Sequence, residues 1–358
     1  MTGLKKNLNK YSIVDIILIW NTRVKRFCII IQTDLFNQKV IMAKLDELRI
    51  IARVARMYYE WEMRQADISR QLGLSQATIS RLIQRSKHEG IIRISVNVPK
   101  GVYTELEENL VKKFSLRDAI VVDSLEDKEH LIQRDLGASA AYYLESAIQP
   151  NEVIGISSWS ATLLAMVDAL QPLPKKPGVK VVQILGGVGS PGAEVHATHL
   201  TSRLATLLRG EPIFLPAPGV VGSEAAMQVL LEDEYVRKTM ALFDHVTMAL
   251  VGIGAIQPST LLAQSGNIFS SQEQELLRHQ GAVGDILLRF FDQQGKPIDS
   301  VLDKRVISMT LEQLRKVDRA IGLAGGSRKY AAILGALCGG LINILITDHF
   351  TAARLVKE

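Results

Sequence analysis

Residues 65–84 run Gln65-Ala66-Asp67-Ile68-Ser69-Arg70-Gln71-Leu72-Gly73-Leu74-Ser75-Gln76-Ala77-Thr78-Ile79-Ser80-Arg81-Leu82-Ile83-Gln84. Ile68, Leu72, Leu74, Ile79 and Leu82 recur at helical spacing on either side of Gly73, so two short helices would meet along one apolar seam. Gly73 stands where the chain must reverse, because a left-handed residue costs glycine little. Ser75 is placed to cap the second helix by accepting the free amide of Thr78. The residues left outside, Gln76, Ala77, Ser80, Arg81 and Gln84, with Ser75, Thr78 and Arg85 at their margin, suit a DNA major groove. The pattern predicts a helix-turn-helix. A helical hairpin packed into a larger domain would share it, so the flanks decide.

Upstream, Lys44 to Glu62 is helix-forming and carries Leu45, Leu48, Ile51, Ala52, Ala55 and Tyr59 along one face, a supporting helix. Downstream, His88-Glu89-Gly90 is a stop signal. Ile91 to Val98 is β-branched and ends at Pro99, which predicts a strand, the wing of a winged helix. Charge follows the same division. The chain carries +5 overall, yet residues 42–100 hold eleven Lys/Arg against six Asp/Glu and residues 1–41 seven against two, leaving an acidic remainder. A basic module on an acidic body is the footprint of phosphate binding confined to one part. Arg64, Arg70, Arg81, Arg85, Lys87 and Arg93 are the candidate phosphate contacts, each weighed against an ordinary solvated charge.

With 358 residues and 47% hydrophobic content the chain has room for two cored domains. Cys28 and Cys338 make no disulfide framework, so a reducing cytoplasm is the expected compartment. No apolar run approaches the roughly 20 residues of a membrane span, and no membrane partner is expected. Residues 1–41 hold the apolar runs Ile13 to Trp20 and Phe27 to Ile31 but match no secretion signal. Met42 is expected to be the working start, with 1–41 a leader or poorly ordered extension. Residues 42–100 are then the DNA-binding domain and 101–358 an effector and oligomerisation domain.

From Gly101 short β-branched runs alternate with amphipathic segments. Strands are predicted at 118–123, 152–157, 180–185, 212–215, 245–251, 320–323 and 343–347, with helices over 104–114, 128–148, 163–170, 196–209 and 328–335. Such alternation predicts a doubly wound, mostly parallel α/β sheet with helices on both faces. Glycine-bearing turns follow four of the strands: Gly155-Ile156-Ser157-Ser158-Trp159-Ser160-Ala161-Thr162, Leu185-Gly186-Gly187, Val251-Gly252-Ile253-Gly254 and Ala324-Gly325-Gly326-Ser327-Arg328-Lys329. Open α/β sheets bind ligands beyond the carboxyl ends of their strands. The Ser160/Thr162 and Ser327/Lys329 turns are therefore candidate phosphate cradles.

Gly187-Val188-Gly189-Ser190-Pro191-Gly192 fits the letter of a dinucleotide fingerprint. It is discounted, because Pro191 falls where the opening helix needs free amides and no acid ends the next strand. No cofactor is expected. Glu194, His196 and His199 lack a further strong ligand nearby and are read as helix-surface residues rather than a metal site. No Ser/His/Asp or Cys/His arrangement stands out.

The helix-turn-helix from Ile68 to Leu82 precedes Gly155-Ile156-Ser157-Ser158-Trp159, Pro216-Ala217-Pro218-Gly219, Val251-Gly252-Ile253-Gly254, Gly281-Ala282-Val283-Gly284-Asp285-Ile286, Ala324-Gly325-Gly326-Ser327-Arg328-Lys329 and Leu345-Ile346-Thr347-Asp348. In this order, from about Leu45 to Leu355, the motifs resemble the SorC family of bacterial sugar-responsive transcriptional regulators. The resemblance implies a sugar-phosphate isomerase-like domain used for sensing, in dimers or tetramers that bind operator DNA. It implies that Asp285 hydrogen-bonds effector hydroxyls and Lys329 holds an effector phosphate, with Ser158, Ser160 to Thr162 and Gly186-Gly187 lining the same pocket. Two positions depart from the family pattern. Ser160 replaces a common glycine and His349 a common acid, which leaves an unphosphorylated polyol open as effector.

Two functions follow. The preferred one is a cytoplasmic, DNA-binding regulator of a carbohydrate-catabolism operon, controlled by a sugar, polyol or sugar phosphate, and not an enzyme. The alternative is a sugar-phosphate isomerase with an accessory DNA-binding domain, in which Asp285 is the base and His349 the second group.

Overall fold

The computed structural model describes residues 45–92 and 101–357, and for 191–199 the backbone alone. These residues fall into two compact units that divide within the undescribed segment 93–100. The extension 1–41, Arg93 and most of the expected wing strand lie outside the described residues.

The first unit contains helix α1 over 45–59, α2 (Gln65–Leu72) and α3 (Gln76–His88). Gly73 ends α2 in the left-handed region, at φ 67°, and the Ser75 hydroxyl caps α3 by accepting the Thr78 amide at 3.2 Å. Val54, Met57, Ile68, Ile79 and Ile83 form the core, with Leu72, Leu74 and Leu82 packed against it. The buried face of α1 is turned from the expected one. Ile51, Val54, Ala55 and Met57 are inside, whereas Leu45 and Ala52 are exposed.

The second unit opens with α4 (Thr104–Phe114) and is built on seven parallel strands. They are β1 (Asp118–Val122), β2 (Val153–Ile156), β3 (Lys180–Gln183), β4 (Glu211–Ile213), β5 (Met248–Gly252), β9 (Arg319–Leu323) and β10 (Ile344–Asp348), ordered β1-β10-β9-β5-β2-β3-β4. All seven expected strands are present, with ends shifted by a few residues. Successive strand residues point to opposite faces, and the two cores record it. Met248, Leu250, Ile321, Leu323, Ile344 and Ile346 pack on α5 (Glu129–Ala147), α6 (Ala161–Ala169) and α7 (Pro191–Leu208). After α7 the chain forms α8 (Glu224–Glu232), α9 (Glu234–Met240), α10 (Thr260–Ser265) and α11 (Ser271–His279). Ala249, Val251, Ala320 and Leu345 face the other side, against α4, α12 (Leu311–Lys316), α13 (Tyr330–Cys338) and α14 (His349–Lys357). Each fully buried Ile or Leu contributes about 1.5–3 kcal/mol of apolar transfer. Gly137 lets α5 press on α6, since a β-carbon there would come 2.7 Å from the Ala165 backbone.

Two local expectations are corrected. Helix α7 begins at Pro191 rather than near His196; proline at the first helical position gives up an amide that has no helical partner anyway. A three-residue 3-10 turn, Ser327–Lys329, precedes α13, which runs past Gly335 to Cys338. A small antiparallel sheet that no sequence pattern marked, β6 (Gly254–Ala255), β7 (Gly284–Ile286) and β8 (Arg289–Phe291), is also present. This sheet carries Asp285 to the carboxyl edge of the large one.

Candidate functional site

Strands β2 and β5 are neighbours, but the chain leaves them in opposite directions: β2 leads to β3 and β4, β5 to β9 and β10. Connections that diverge in this way open a crevice at the carboxyl ends of the strands. A cleft of about 610 Å3 lies there. Its walls come from the turns after β2 (Ser157, Trp159, Ser160), β5 (Gly252, Gly254), β3 (Leu185) and β9 (Arg328, Lys329), closed by Asp285 from β7.

Three of the expected effector residues, Ser160, Asp285 and Lys329, meet in the cleft. Asp285 is 9% exposed, and its Oδ2 accepts the Leu288 amide at 3.0 Å. Burial pushes its carboxyl up to about 6, with the Leu288 amide and the Lys329 charge acting against the rise. Burial lowers the Lys329 ammonium from its ordinary value, and the nearby Glu129 carboxylate opposes that. Glu129, at the start of α5, lies 3.9 Å from Lys329 Nζ and accepts Arg328 Nη2 at 2.7 Å and Nε at 3.2 Å. Burial alone would raise the Glu129 carboxyl, but the Arg328 hydrogen bond and the two cationic charges outweigh it and hold the group low.

The other expected residues are placed differently. Ser158 is buried, donates to the Leu185 carbonyl at 2.6 Å and accepts from Gln183. Thr162 is buried and, with Ser158, Gly186 and Gly187, is not among the described residues lining the cleft. Gly186 is needed for packing, since a β-carbon would meet the Pro218 backbone at 2.3 Å, and one on Gly187 would strike the Gln183 amide. The Ser160 hydroxyl caps α6 through the Leu163 amide at 3.3 Å while still facing the cleft.

The Ser327/Lys329 turn is not an open anion cradle either. Asp348 Oδ2 already accepts the Gly326 amide at 2.8 Å, and Asp127 Oδ1 the Ser327 amide at 3.3 Å. Lys329 therefore contributes its side chain rather than its turn. Gln133, Gln257, Leu287 and Leu288 also line the cleft and were missed, because no motif marks them.

His349 is not among the cleft residues. It stacks on Tyr103 with ring centroids 5.1 Å apart and takes the Ser124 amide at Nδ1. The base–acid pair of the isomerase alternative is therefore not assembled. The side chains of Glu194, His196 and His199 fall outside the described set. Among the described residues no cluster of three His, Cys, Asp or Glu could hold a metal, and no helix is long and apolar enough to cross a membrane.

On the first unit Gln76, Ala77, Arg81 and Gln84 are exposed on α3, with Ser75 beside them and Thr78 and Ser80 partly covered. Arg85 is engaged within the unit: its guanidinium binds Glu47 of α1 and Glu89. Arg70 pairs with Asp67, and Lys87 lies 5.9 Å from the centre of the Tyr59 ring. Arg64 is exposed ahead of α2.

The parallel sheet and the polar cleft at its switch point lie within residues 101–357, which match the family described as "Putative sugar-binding domain". The sorbitol operon regulator of Klebsiella pneumoniae is 32% identical over 322 residues, covering 88% of this chain and all of that one. The deoxyribonucleoside regulator of Bacillus subtilis is 32% identical over 313 residues, 87% of this chain and 99% of the relative. The crystal structure of the full-length Klebsiella regulator matches with a TM-score of 0.65 at 30% identity, over 87% of this chain and 99% of that one. The chain belongs to the SorC family of sugar-binding transcriptional regulators.

Proposed function

We propose that the chain is a DNA-binding transcriptional regulator of a carbohydrate-catabolism operon, controlled by a carbohydrate bound in the cleft of its second unit. The observation that carries the reading is the meeting of Asp285, Lys329 and Ser160 at the β2/β5 switch point, in a chain whose relatives are named as regulators of the sorbitol operon and of deoxyribonucleosides. A carboxylate suits sugar hydroxyls, and a cation beside it suits a phosphate, so a phosphorylated sugar is the favoured effector. The protein acts in the cytoplasm as a homo-oligomer, dimer or tetramer, whose paired α3 helices read two operator half-sites. Residues 42–100 bind DNA and 101–358 sense and assemble. Effector binding changes the placement of the reading helices, which requires different effector affinity in the two states.

Thermal unfolding of the purified protein with hexose phosphates, free sugars and polyols tests this. A ligand of the folded state raises Tm. The expectation is a rise with at least one phosphorylated sugar that Lys329→Met removes. No rise with any carbohydrate would reject the cleft as the effector site.

A further inference from the structure

The cleft has two chemically different ends. Across the carboxyl edge of the sheet its walls follow the strand order β9-β5-β2-β3. Arg328 and Lys329 stand on the β9 side, and Leu185 after β3 on the other. Three strand spacings, about 14 Å in all, separate β9 from β3. At the β3 end Trp159 donates its indole N–H to the Gly186 carbonyl at 3.0 Å, so its only polar atom is turned away and its ring completes an apolar wall. The β7–β8 turn reaches the same end: Arg289 Nε binds Ser308 Oγ at 3.1 Å, and Ser308 bridges Leu185.

That turn is strained. Leu287 and Leu288, the two residues between β7 and β8, have φ of 58° and 62°. A two-residue hairpin of this kind takes Asn or Gly by preference, and a left-handed leucine costs roughly 1–2 kcal/mol. The surroundings enforce it: Asp285 holds the Leu288 amide, and the Arg289 guanidinium is bound by the Val306 and Asp303 carbonyls and the Asp303 carboxylate. The strained turn seats two almost fully buried leucines in the cleft wall. Behind Leu288 a second, apolar cavity of about 270 Å3 shares Ala255, Pro258, Leu262 and Asp285 with the cleft and is backed by Phe269 and Phe290. Backbone strain kept at a ligand wall points to a function for that wall.

We infer that the Leu287-Leu288 turn is a specificity element, selecting a carbohydrate phosphate whose end remote from the phosphate is deoxygenated or methyl-bearing. The phosphate lies toward Arg328 and Lys329, Asp285 accepts the hydroxyls of the middle, and the remote carbon packs on Leu185, Leu287 and Leu288. A hydroxyl at that carbon would lose its water and find no partner, an effect that costs about 1–3 kcal/mol. This reading rests on the proposed function and sharpens its ligand class.

The test is calorimetric titration of the full chain with two pairs that each differ by one terminal hydroxyl. They are L-fucose 1-phosphate against L-galactose 1-phosphate and L-rhamnose 1-phosphate against L-mannose 1-phosphate, with glucose 6-phosphate and galactose 6-phosphate as hydroxylated comparators. We expect at least one deoxy member to bind about tenfold more tightly than its hydroxylated partner, and Leu288→Ala to shrink that ratio. The strain-relieving pair Leu287→Asn with Leu288→Gly should shrink it as well, so one poorly folding variant does not decide the matter. Equal or tighter binding of the hydroxylated members, or binding of the 6-phosphates alone, would overturn the inference and leave the proposed function standing. Binding of none of the six would overturn the inference, whereas the proposed function falls only if no carbohydrate of any class raises Tm.

Discussion

Lys329 Nζ and Glu129 Oε1 lie 3.9 Å apart, and Arg328 holds the same carboxylate through two nitrogens. The cationic end of the cleft is thus partly neutralised from α5 before any ligand arrives. An effector phosphate must share these cations with Glu129. Glu129→Gln should therefore tighten phosphorylated effectors roughly threefold to tenfold, because the partly exposed pair it removes is worth only about 1 kcal/mol. The salt dependence of binding should steepen. Titration at two ionic strengths checks this; weaker binding would mean that Glu129 positions Lys329 rather than competes with the ligand.

Asp285 gives a pH dependence with a definite sign. Its carboxyl titrates near 6 in the folded chain, against an ordinary value of 3.8. The folded state therefore holds the proton more tightly than the unfolded state does. The associated stability is complete below about pH 3.8 and is lost as pH rises through about 6. Asp285→Asn, which keeps an oxygen for the Leu288 amide, removes the charge. The variant's advantage over the parent should grow as pH rises from about 3.8 to about 6 and stay level above that, at up to about 3 kcal/mol, seen as several degrees in Tm. A Tm difference independent of pH would contradict the burial of an ionisable Asp285.

Gly254 faces the same carboxylate, and a β-carbon there would come within 2.2 Å of Asp285 Oδ1. Gly254→Ala must push the Asp285 side chain aside. Overpacking of this kind typically costs about 1–3 kcal/mol. The expected outcome is a lower Tm and loss of the effector-induced Tm rise, both read by thermal unfolding. A normal effector response in a folded Gly254→Ala protein would remove Asp285 from the site.

On α3 the two arginines are predicted to differ. Arg81 is exposed and, among the described residues, its guanidinium is seen to reach the Ala77 carbonyl alone, at 3.4 Å, which leaves it available to meet a base. Arg81→Ala should weaken operator binding and relax preference at one base position by about 1–3 kcal/mol. Arg85 lies at the margin of the same face, and as a proposed phosphate contact its loss in Arg85→Ala should weaken all DNA sequences alike and flatten the salt dependence; because it is also bound to Glu47 and Glu89, the change should lower the stability of the first unit slightly. Gel-shift titrations with operator and scrambled DNA separate the two. Identical behaviour of the variants would reject α3 as the reading helix.

Much of this was legible in the sequence, for physical reasons. Strands buried on both faces read as continuous β-branched runs, as Ile344 to Thr347 does. The α2–α3 turn announced itself through Gly73, whose left-handed conformation few other residues supply, and Ser75, whose hydroxyl caps α3. Asp285 and Lys329 came through family motifs and do share a cleft. What stayed hidden depends on contacts distant in sequence. Glu129 meets Arg328 across 199 positions, and no local pattern records that. The Leu287-Leu288 turn is concealed for the opposite reason: local preference there is overridden by Asp285 and Arg289, so a rule that expects Asn or Gly passes over it. Gly186 and Gly187 looked like ligand contacts, yet their neighbours Pro218 and Gln183 explain them.

If DNA and a carbohydrate act on one another through this chain, linkage makes that measurable in a single titration. The measurement is fluorescence anisotropy of labelled promoter DNA with the full-length protein, titrated with the phosphorylated sugar that raises Tm most. Saturating sugar should shift the DNA Kd at least fivefold, in either direction, and Lys329→Met should bind the same DNA but show no shift. Unchanged DNA affinity at saturating sugar in the parent protein would contradict the linkage.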